Sequence, residues 1–176
     1  MGARRPWQRP CQRREPKMRP LLLTIVVAVA LVSCTAPMSR RESTPARERL
    51  QSLASRLEAG SIEVVEVYCI PEGVETPVAL SPADLERTFD YRLTLKTSAS
   101  PASMKKLAAA LRGSNVWEST NPADMRFGLV FYDQDKIRRG AVYLAGDCTK
   151  GQIDEITVGY GGRLCSWVDD ALSGSR

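Results

Sequence analysis

The feature that most constrains this chain is a short apolar run near its N-terminus. The twelve residues from Leu21 to Val32 are interrupted by a single polar residue, Thr24. A helix needs roughly 20 apolar residues to cross a bilayer, so this run is too short to span one. It is typical of the apolar region of a signal peptide, and Arg19 supplies the positive charge that precedes such a region. We therefore expect the folded domain to be built from the residues that follow.

The apolar run ends in the tetrapeptide Leu31-Val32-Ser33-Cys34. This tetrapeptide resembles the lipobox of bacterial lipoproteins, in which a dedicated signal peptidase cleaves before an invariant cysteine. The resemblance implies that Cys34 becomes the new N-terminus and carries a thioether-linked diacylglycerol, with a further acyl chain such as palmitate on its amine. Two or more acyl chains give stable membrane anchoring. The alternative is an ordinary secretory peptide, or an uncleaved short anchor, with a coincidental cysteine.

Residues at the two ends of the predicted signal peptide predict where translation starts and which membrane holds the protein. Residues 1–17 are rich in Arg, Pro and Gln and precede Met18, from which a complete signal could begin. We therefore expect Met18 to be the true start. In the lipoprotein family an Asp directly after the lipidated cysteine favours retention in the inner membrane, whereas this chain has Thr35. The resemblance thus implies, in a Gram-negative host, an outer-membrane protein that faces the periplasm.

The positive charge of the chain is concentrated before Cys34. The whole chain has 25 Lys and Arg and 20 Asp and Glu, and seven of those basic residues and one acidic residue precede Cys34. The remaining 18 basic and 19 acidic residues leave the rest of the chain close to neutral. Domains that bind nucleic acid need clustered Lys and Arg to neutralise phosphates. We therefore expect no nucleic-acid partner.

The chain divides into three parts. Residues 1–33 form the N-terminal extension and signal peptide, residues 34–44 form the lipidated cysteine and a flexible tether, and residues 45–176 are long enough for one small domain. Within the domain, apolar residues recur at helical spacing over 45–59 and from Ser100-Pro101 to Gly113, which predicts two helices. We also predict a helical turn at 81–84 and a terminal helix at 167–172. Alternating or β-branched segments predict strands at 62–70, 89–96, 126–132, 137–145 and 153–160. This order favours an α+β domain, a mainly antiparallel sheet with helices packed on one face.

Three cysteines lie in the predicted domain, Cys69, Cys148 and Cys165. Cys148 and Cys165 flank a predicted strand and the turn after it, so in an oxidising compartment our first choice is a disulfide between them. A loop of this size contributes about 3 kcal/mol to stability. Pairing of Cys69 with either of the other two stays open, and we expect the remaining cysteine to be a small buried hydrophobic residue.

The sequence offers little for catalysis. It contains no histidine, which excludes Ser/His/Asp and Cys/His sites and histidine-based zinc sites. Ser103 and Lys106 match the Ser-x-x-Lys pattern, but an ordinary first-turn serine and a solvated lysine explain them as well. Asp133 and Asp135 could act as an acid and base pair or bind calcium, although turn formation explains them better. We expect no catalytic residues, no metal and no cofactor.

Aromatic residues in the C-terminal half suggest binding. Tyr132, Tyr143 and Tyr160, with Trp167 nearby in sequence, could form a recognition surface on a sheet face, because tyrosine and tryptophan supply rigid contact area. The sequence favours a non-catalytic envelope lipoprotein that binds a protein or cell-wall partner, in an inhibitor-like, immunity-like or assembly-like role. The alternatives are a small envelope enzyme that uses carboxylates or the Ser103 and Lys106 pair, and a passive structural lipoprotein.

Overall fold

A computed structural model describes residues 40–70, 92–120 and 124–174. Four predicted features lie outside these ranges: the signal peptide, the lipobox, the helical turn at 81–84 and the beginning of the strand at 89–96. Among the described residues, no helix is both long enough and apolar enough to span a membrane.

Seven antiparallel strands form one sheet in the order β2-β1-β4-β5-β6-β7-β3. Three helices and a short 3-10 helix, Thr97–Ala99, accompany the sheet in the described part of the chain, which confirms the predicted α+β class. The strands are β1 (Val64–Cys69), β2 (Arg92–Lys96), β3 (Asn115–Glu118), β4 (Met125–Tyr132), β5 (Arg138–Ala145), β6 (Lys150–Ile153) and β7 (Ile156–Gly161). The helices are α1 (Thr44–Glu58), α2 (Pro101–Arg112) and α3 (Leu164–Gly174).

The helices form where local sequence favours them. Both α1 and α2 have a proline in the first turn, where the missing N–H would have no partner within the helix. Gly60, with φ of +70°, follows the end of α1 in a left-handed conformation that glycine adopts without strain. Each helix buries one apolar stripe: Ala46, Leu50, Leu53, Ala54 and Leu57 in α1, and Met104, Leu107, Ala108 and Leu111 in α2.

All three helices pack on the same face of the sheet, as predicted. Their stripes join strand residues such as Val67, Leu129, Phe131 and Val142, each at most 1% exposed, in one hydrophobic core. Alternate strand residues point to the opposite face. On that face Tyr68, Ile70, Met125, Val130, Ala141 and Tyr143 form a second, smaller buried cluster.

The predicted strand at 153–160 is wrong, because the structure divides it. Ile153 ends β6, Ile156 begins β7, and these two residues pair across the turn between them. Asp154 in this turn has φ of 50° and accepts a hydrogen bond from the Ala141 N–H through Oδ1, at 2.9 Å. Aspartate tolerates the left-handed region better than most residues, so it can close a turn within an otherwise strand-like sequence.

Strand β3 was missed by the sequence analysis, which placed Asn115–Glu118 in a loop. Four residues are too few to show an alternating pattern, and β3 is specified mainly by its antiparallel pairing with β7. The terminal helix also begins earlier than predicted, at Leu164 rather than residue 167.

The end of the predicted tether belongs to the fold. The Ser43 N–H donates to the Val116 carbonyl at 3.1 Å, and the Glu118 N–H donates to the Arg41 carbonyl at 2.9 Å. The segment from Arg41 to Ser43 therefore lies along the outer edge of β3. Covering an edge strand in this way satisfies backbone groups that would otherwise be open to another chain.

Candidate functional site

Two of the three predicted binding tyrosines are buried. Tyr143 is 0% exposed and Tyr160 is 2% exposed, so neither side chain can present a recognition surface. The Tyr160 hydroxyl lies 2.6 Å from the Ser114 Oγ and accepts a hydrogen bond from the Leu164 N–H at 3.4 Å. Burial raises the pKa of Tyr160. This tyrosine joins β7 to the residues after α2 and to the start of α3, so the prediction of a binding role is corrected to a structural one.

Tyr143 and Tyr132 lie on the face of the sheet away from the helices. The Arg138 guanidinium donates a hydrogen bond to the Tyr143 hydroxyl at 3.1 Å. Tyr132 is only partly buried and packs against the smaller apolar cluster. The predicted tyrosine surface is therefore reduced to Tyr132, whose binding role stays a prediction. Trp167 is 5% exposed, and its Nε1 donates to the Ser103 carbonyl at 3.0 Å.

Asp133 has a local structural role. Its Oδ1 accepts hydrogen bonds from the N–H groups of Asp135 (3.0 Å) and Ile137 (2.9 Å), and its Oδ2 accepts one from Arg139 Nε at 2.6 Å. Burial alone raises the pKa of Asp133, but these hydrogen bonds and the guanidinium charge together lower it below its ordinary value. A carboxylate held ionised in this way shapes the β4–β5 hairpin.

Two other carboxylates are explained by turns as well. Asp147 accepts hydrogen bonds from the N–H and the hydroxyl of Thr149, which lower its pKa. Asp154 combines its bond to Ala141 with an ion pair to Arg49 at 3.8 Å. In the described residues no group of three or more His, Cys, Asp or Glu side chains is placed to hold a metal ion.

Ser103 and Lys106 do not form a recognisable nucleophile and base pair. Ser103 lies in the first turn of α2, partly buried, and the hydrogen bond found there uses its backbone carbonyl. Lys106 is exposed and, with Arg163, Trp167 and Asp170, borders an open groove of about 610 Å³ between α2 and α3. Activation of the serine would require a lysine within hydrogen-bond reach.

The disulfide between Cys148 and Cys165 is confirmed. It links the turn before β6 to the first turn of α3, across 17 positions of sequence. The alternative pairings of Cys69 with these two cysteines are therefore wrong. Cys69 lies in β1 and is only 2% exposed, as expected of the remaining cysteine, but its sulfur is disulfide-bonded rather than a free thiol.

The described residues form an open groove of about 790 Å³, which we call the distal groove. It lies where the end of α1, the 3-10 helix, the beginning of α2 and the β4–β5 turn meet. Its lining combines apolar and polar side chains: Leu57, Glu58, Gly60, Glu63, Thr97, Ser98, Pro101, Met104, Lys105 and Gln134. The sequence analysis did not find this groove, because its lining comes from four separate segments.

Local contacts hold the frame of the distal groove. Thr97 donates from its hydroxyl to the Ile62 carbonyl at 2.8 Å and from its N–H to the Glu63 carbonyl at 2.8 Å. Glu58 forms an ion pair with Arg112 that lowers the pKa of the carboxyl.

Ile137 lies in the β4–β5 hairpin, three residues after Gln134 of the groove lining. It is 50% exposed and is the one large hydrophobic residue in the described ranges whose side chain is classed as exposed. The sequence analysis assigned it to the start of a strand, where alternation alone does not show whether a side chain is covered. A lone exposed apolar residue is ordinary on a protein surface, but this one shares its hairpin with a residue of the groove lining.

A second feature that sequence analysis missed is Trp117, on the sheet face away from the helices. Its indole lies against Gly159 of β7, where an added Cβ would be only 1.9 Å from Nε1. The guanidinium carbon of Arg40 lies 4.3 Å from the centroid of the same ring, which is a cation–π contact. The glycine is needed here because any side chain would displace the indole.

Comparisons with family models, with curated proteins and with solved structures found no match to this chain.

Proposed function

We propose that this chain is a lipid-anchored protein of the bacterial cell envelope that binds another protein through the distal groove and the adjacent Ile137. The observation that carries the binding role is an open groove of about 790 Å³ whose lining includes Gln134 of the hairpin that also carries the exposed Ile137. The lipobox resemblance at Cys34 supports the anchor, which requires that the sulfur of Cys34 carries lipid and therefore does not form a disulfide with Cys69.

The shape of the groove favours a protein partner over a small molecule. Sites for small ligands enclose most of the ligand surface, whereas the distal groove is open to solvent. A segment of a partner protein could lie along it and cover the exposed ring of Pro101, beneath which Leu57 and Met104 are already almost fully buried. Protein interfaces combine such an apolar centre with a polar rim, here Glu63, Lys105 and Gln134.

The position of the groove supports this arrangement. The chain enters the fold at Arg41–Ser43 along β3, immediately before α1, and the groove lies at the other end of α1. From Thr44 to Leu57 a helix rises about 20 Å. A domain tethered at its N-terminal segment would therefore carry the groove on the part farther from the anchor.

Site-specific photo-crosslinking in intact cells tests the binding role. A photo-reactive residue at Gln134, in the groove lining, should give a discrete crosslinked species with one envelope protein. The matched control is a photo-reactive residue at Glu48, which is exposed on α1 and does not line the groove. Equal crosslinking from both positions, or none from the groove position, would contradict the assignment of the groove.

The mass of the N-terminal peptide of the processed protein tests the anchor. We expect a peptide beginning at Cys34 with a thioether-linked diacylglycerol and an acylated amine. A thioether-linked sulfur cannot also form a disulfide, so the peptide should have the same mass before and after reduction. An unmodified or disulfide-linked Cys34 would refute the lipid anchor and leave the binding role to be judged by crosslinking alone.

A further inference from the structure

The contact of Arg40, Trp117 and Gly159 gives the domain an aromatic and cationic surface beside its N-terminal segment. Trp117 is partly exposed and Arg40 is exposed. Strands β3 and β7 pair with Trp117 opposite Gly159, so the indole packs against the backbone of this glycine. The guanidinium of Arg40 is the charged group that rests on the ring.

The charged side chains around this contact differ in how closely an oppositely charged group approaches them. Arg41 pairs with Glu118 at 3.6 Å, and Glu42 pairs with Arg47. Lys150 is the register partner of Gly159, so it projects on the same face of the sheet and adds a positive charge, although Asp147 lies close enough to feel it.

The chain places this surface near its predicted anchor. Six peptide units connect Cys34 to Arg40, and a fully extended chain of that length spans about 20 Å. The hydrogen bonds between Arg41, Ser43 and β3 prevent the segment from lengthening further without breaking backbone contacts. An anchored Cys34 would therefore hold the edge of β3 within about 20 Å of the bilayer surface.

We propose that Trp117 and Arg40 form a contact with the membrane surface, which holds the domain against the bilayer with the distal groove turned away from it. This contact rests on the proposed lipid anchor at Cys34. Tryptophan favours the headgroup region of a bilayer, because its ring is apolar and its N–H is polar. The planar guanidinium of Arg40 matches the geometry of lipid phosphates, and Lys150 adds attraction to an anionic surface.

Fluorescence quenching by brominated lipids tests the contact. The lipidated full chain is purified from membranes and reconstituted into phosphatidylcholine vesicles, with and without phosphatidylglycerol. Trp167→Phe leaves Trp117 as the reporting tryptophan, since Trp7 precedes the predicted cleavage site. We expect lipids brominated near the headgroup to quench Trp117 strongly, and more strongly when phosphatidylglycerol is present.

Two neighbouring arginines provide a matched pair of variants. Arg40→Gln should reduce the quenching severalfold, whereas Arg41→Gln should have a much smaller effect, because the guanidinium over the Trp117 ring is that of Arg40. If Trp167→Phe disturbs the fold, Trp117→Phe in the otherwise unchanged chain gives the complementary result. The emission that remains, from buried Trp167, should then be insensitive to the brominated lipids.

Flotation of the vesicles distinguishes a missing lipid anchor from a missing contact of Trp117 with the membrane. Protein that floats with the vesicles but shows no quenching of Trp117 would overturn the membrane contact while leaving the anchor intact, and would leave this surface for a protein partner. Equal quenching in the Arg40→Gln and Arg41→Gln variants would overturn the role of the guanidinium. Protein that does not float lacks the anchor, which overturns both the contact and the proposed localisation.

Discussion

The edge of β3 and the distal groove are built in different ways. At the β3 edge, the N-terminal segment, β7 and the Trp117 contact fit against one another through backbone hydrogen bonds and a ring stacked on glycine. The nearby α3 is held by the disulfide and by the buried Tyr160. At the distal groove, side chains from four segments border open space. One region is closed by contacts between residues distant in sequence, and the other leaves side chains open to solvent.

This difference suggests that the two regions have separate roles within one small domain, one in stability and the other in binding. Contacts between residues distant in sequence stabilise the region at the β3 edge, so substitutions there should change stability. The side chains that face solvent along the groove contribute less to folding, so substitutions there should change binding while stability stays nearly constant. The four predictions below test that division.

Loss of the Cys148–Cys165 disulfide should have the largest effect. Closing a loop of 17 residues contributes about 3 kcal/mol, mainly by restricting the unfolded chain. The double variant Cys148→Ser with Cys165→Ser should therefore lower the free energy of unfolding by about that amount, as measured by urea denaturation. If the double variant retained the stability of the unreduced parent protein, the disulfide would not be what secures α3.

Gly159→Ala should come next. Its Cβ would lie 1.9 Å from Trp117 Nε1, so the indole must move, and overpacking of this kind typically costs about 1–3 kcal/mol. The emission of Trp117 should shift with the displaced ring. Gly161→Ala is the matched control, because its Cβ would meet the same indole at an ordinary 3.5 Å. Equal effects of the two substitutions would show that the ring does not rest on Gly159.

The Asp133 carboxylate should produce a smaller, pH-dependent effect. Its pKa is lowered in the folded protein, so its contribution to stability is complete above the ordinary carboxyl pKa of about 4 and is lost as the pH falls through the folded value. Arg139 is partly exposed, and solvent screens its interaction with Asp133. Unfolding curves of the parent protein and Asp133→Asn should therefore converge in acid. A gap between them that is independent of pH would exclude this origin.

Ile137→Ser should have the smallest effect on stability, within about 0.5 kcal/mol, because half of this side chain is exposed. The same substitution should weaken crosslinking from position 134, since it removes apolar surface beside the groove. Thermal unfolding and the crosslinking yield measure the two effects separately. A large loss of stability with unchanged crosslinking would reverse the roles assigned to the two regions.

Much of the architecture follows from local patterns. The stripe of Leu50, Leu53 and Leu57 predicts α1, and the proline at 101 with Gly113 after the helix sets the limits of α2 to within one residue. The positions of Cys148 and Cys165 on either side of a predicted strand and turn also led to the correct disulfide. The site was less predictable: Tyr143 and Tyr160 have the sequence character of a recognition surface, yet both are buried.

The sequence by itself determined the α+β class, both long helices and most of the strands, because side-chain periodicity is a local property of the chain. The lipid anchor at Cys34 stays a prediction from the sequence. The tertiary structure decided the pairing of β3 with β7, the contact of Trp117 with Gly159 and the distal groove. These features depend on which residues distant in sequence meet in space. Alternation along a strand reports which side chains share a face, but only the packed neighbours determine whether that face is covered.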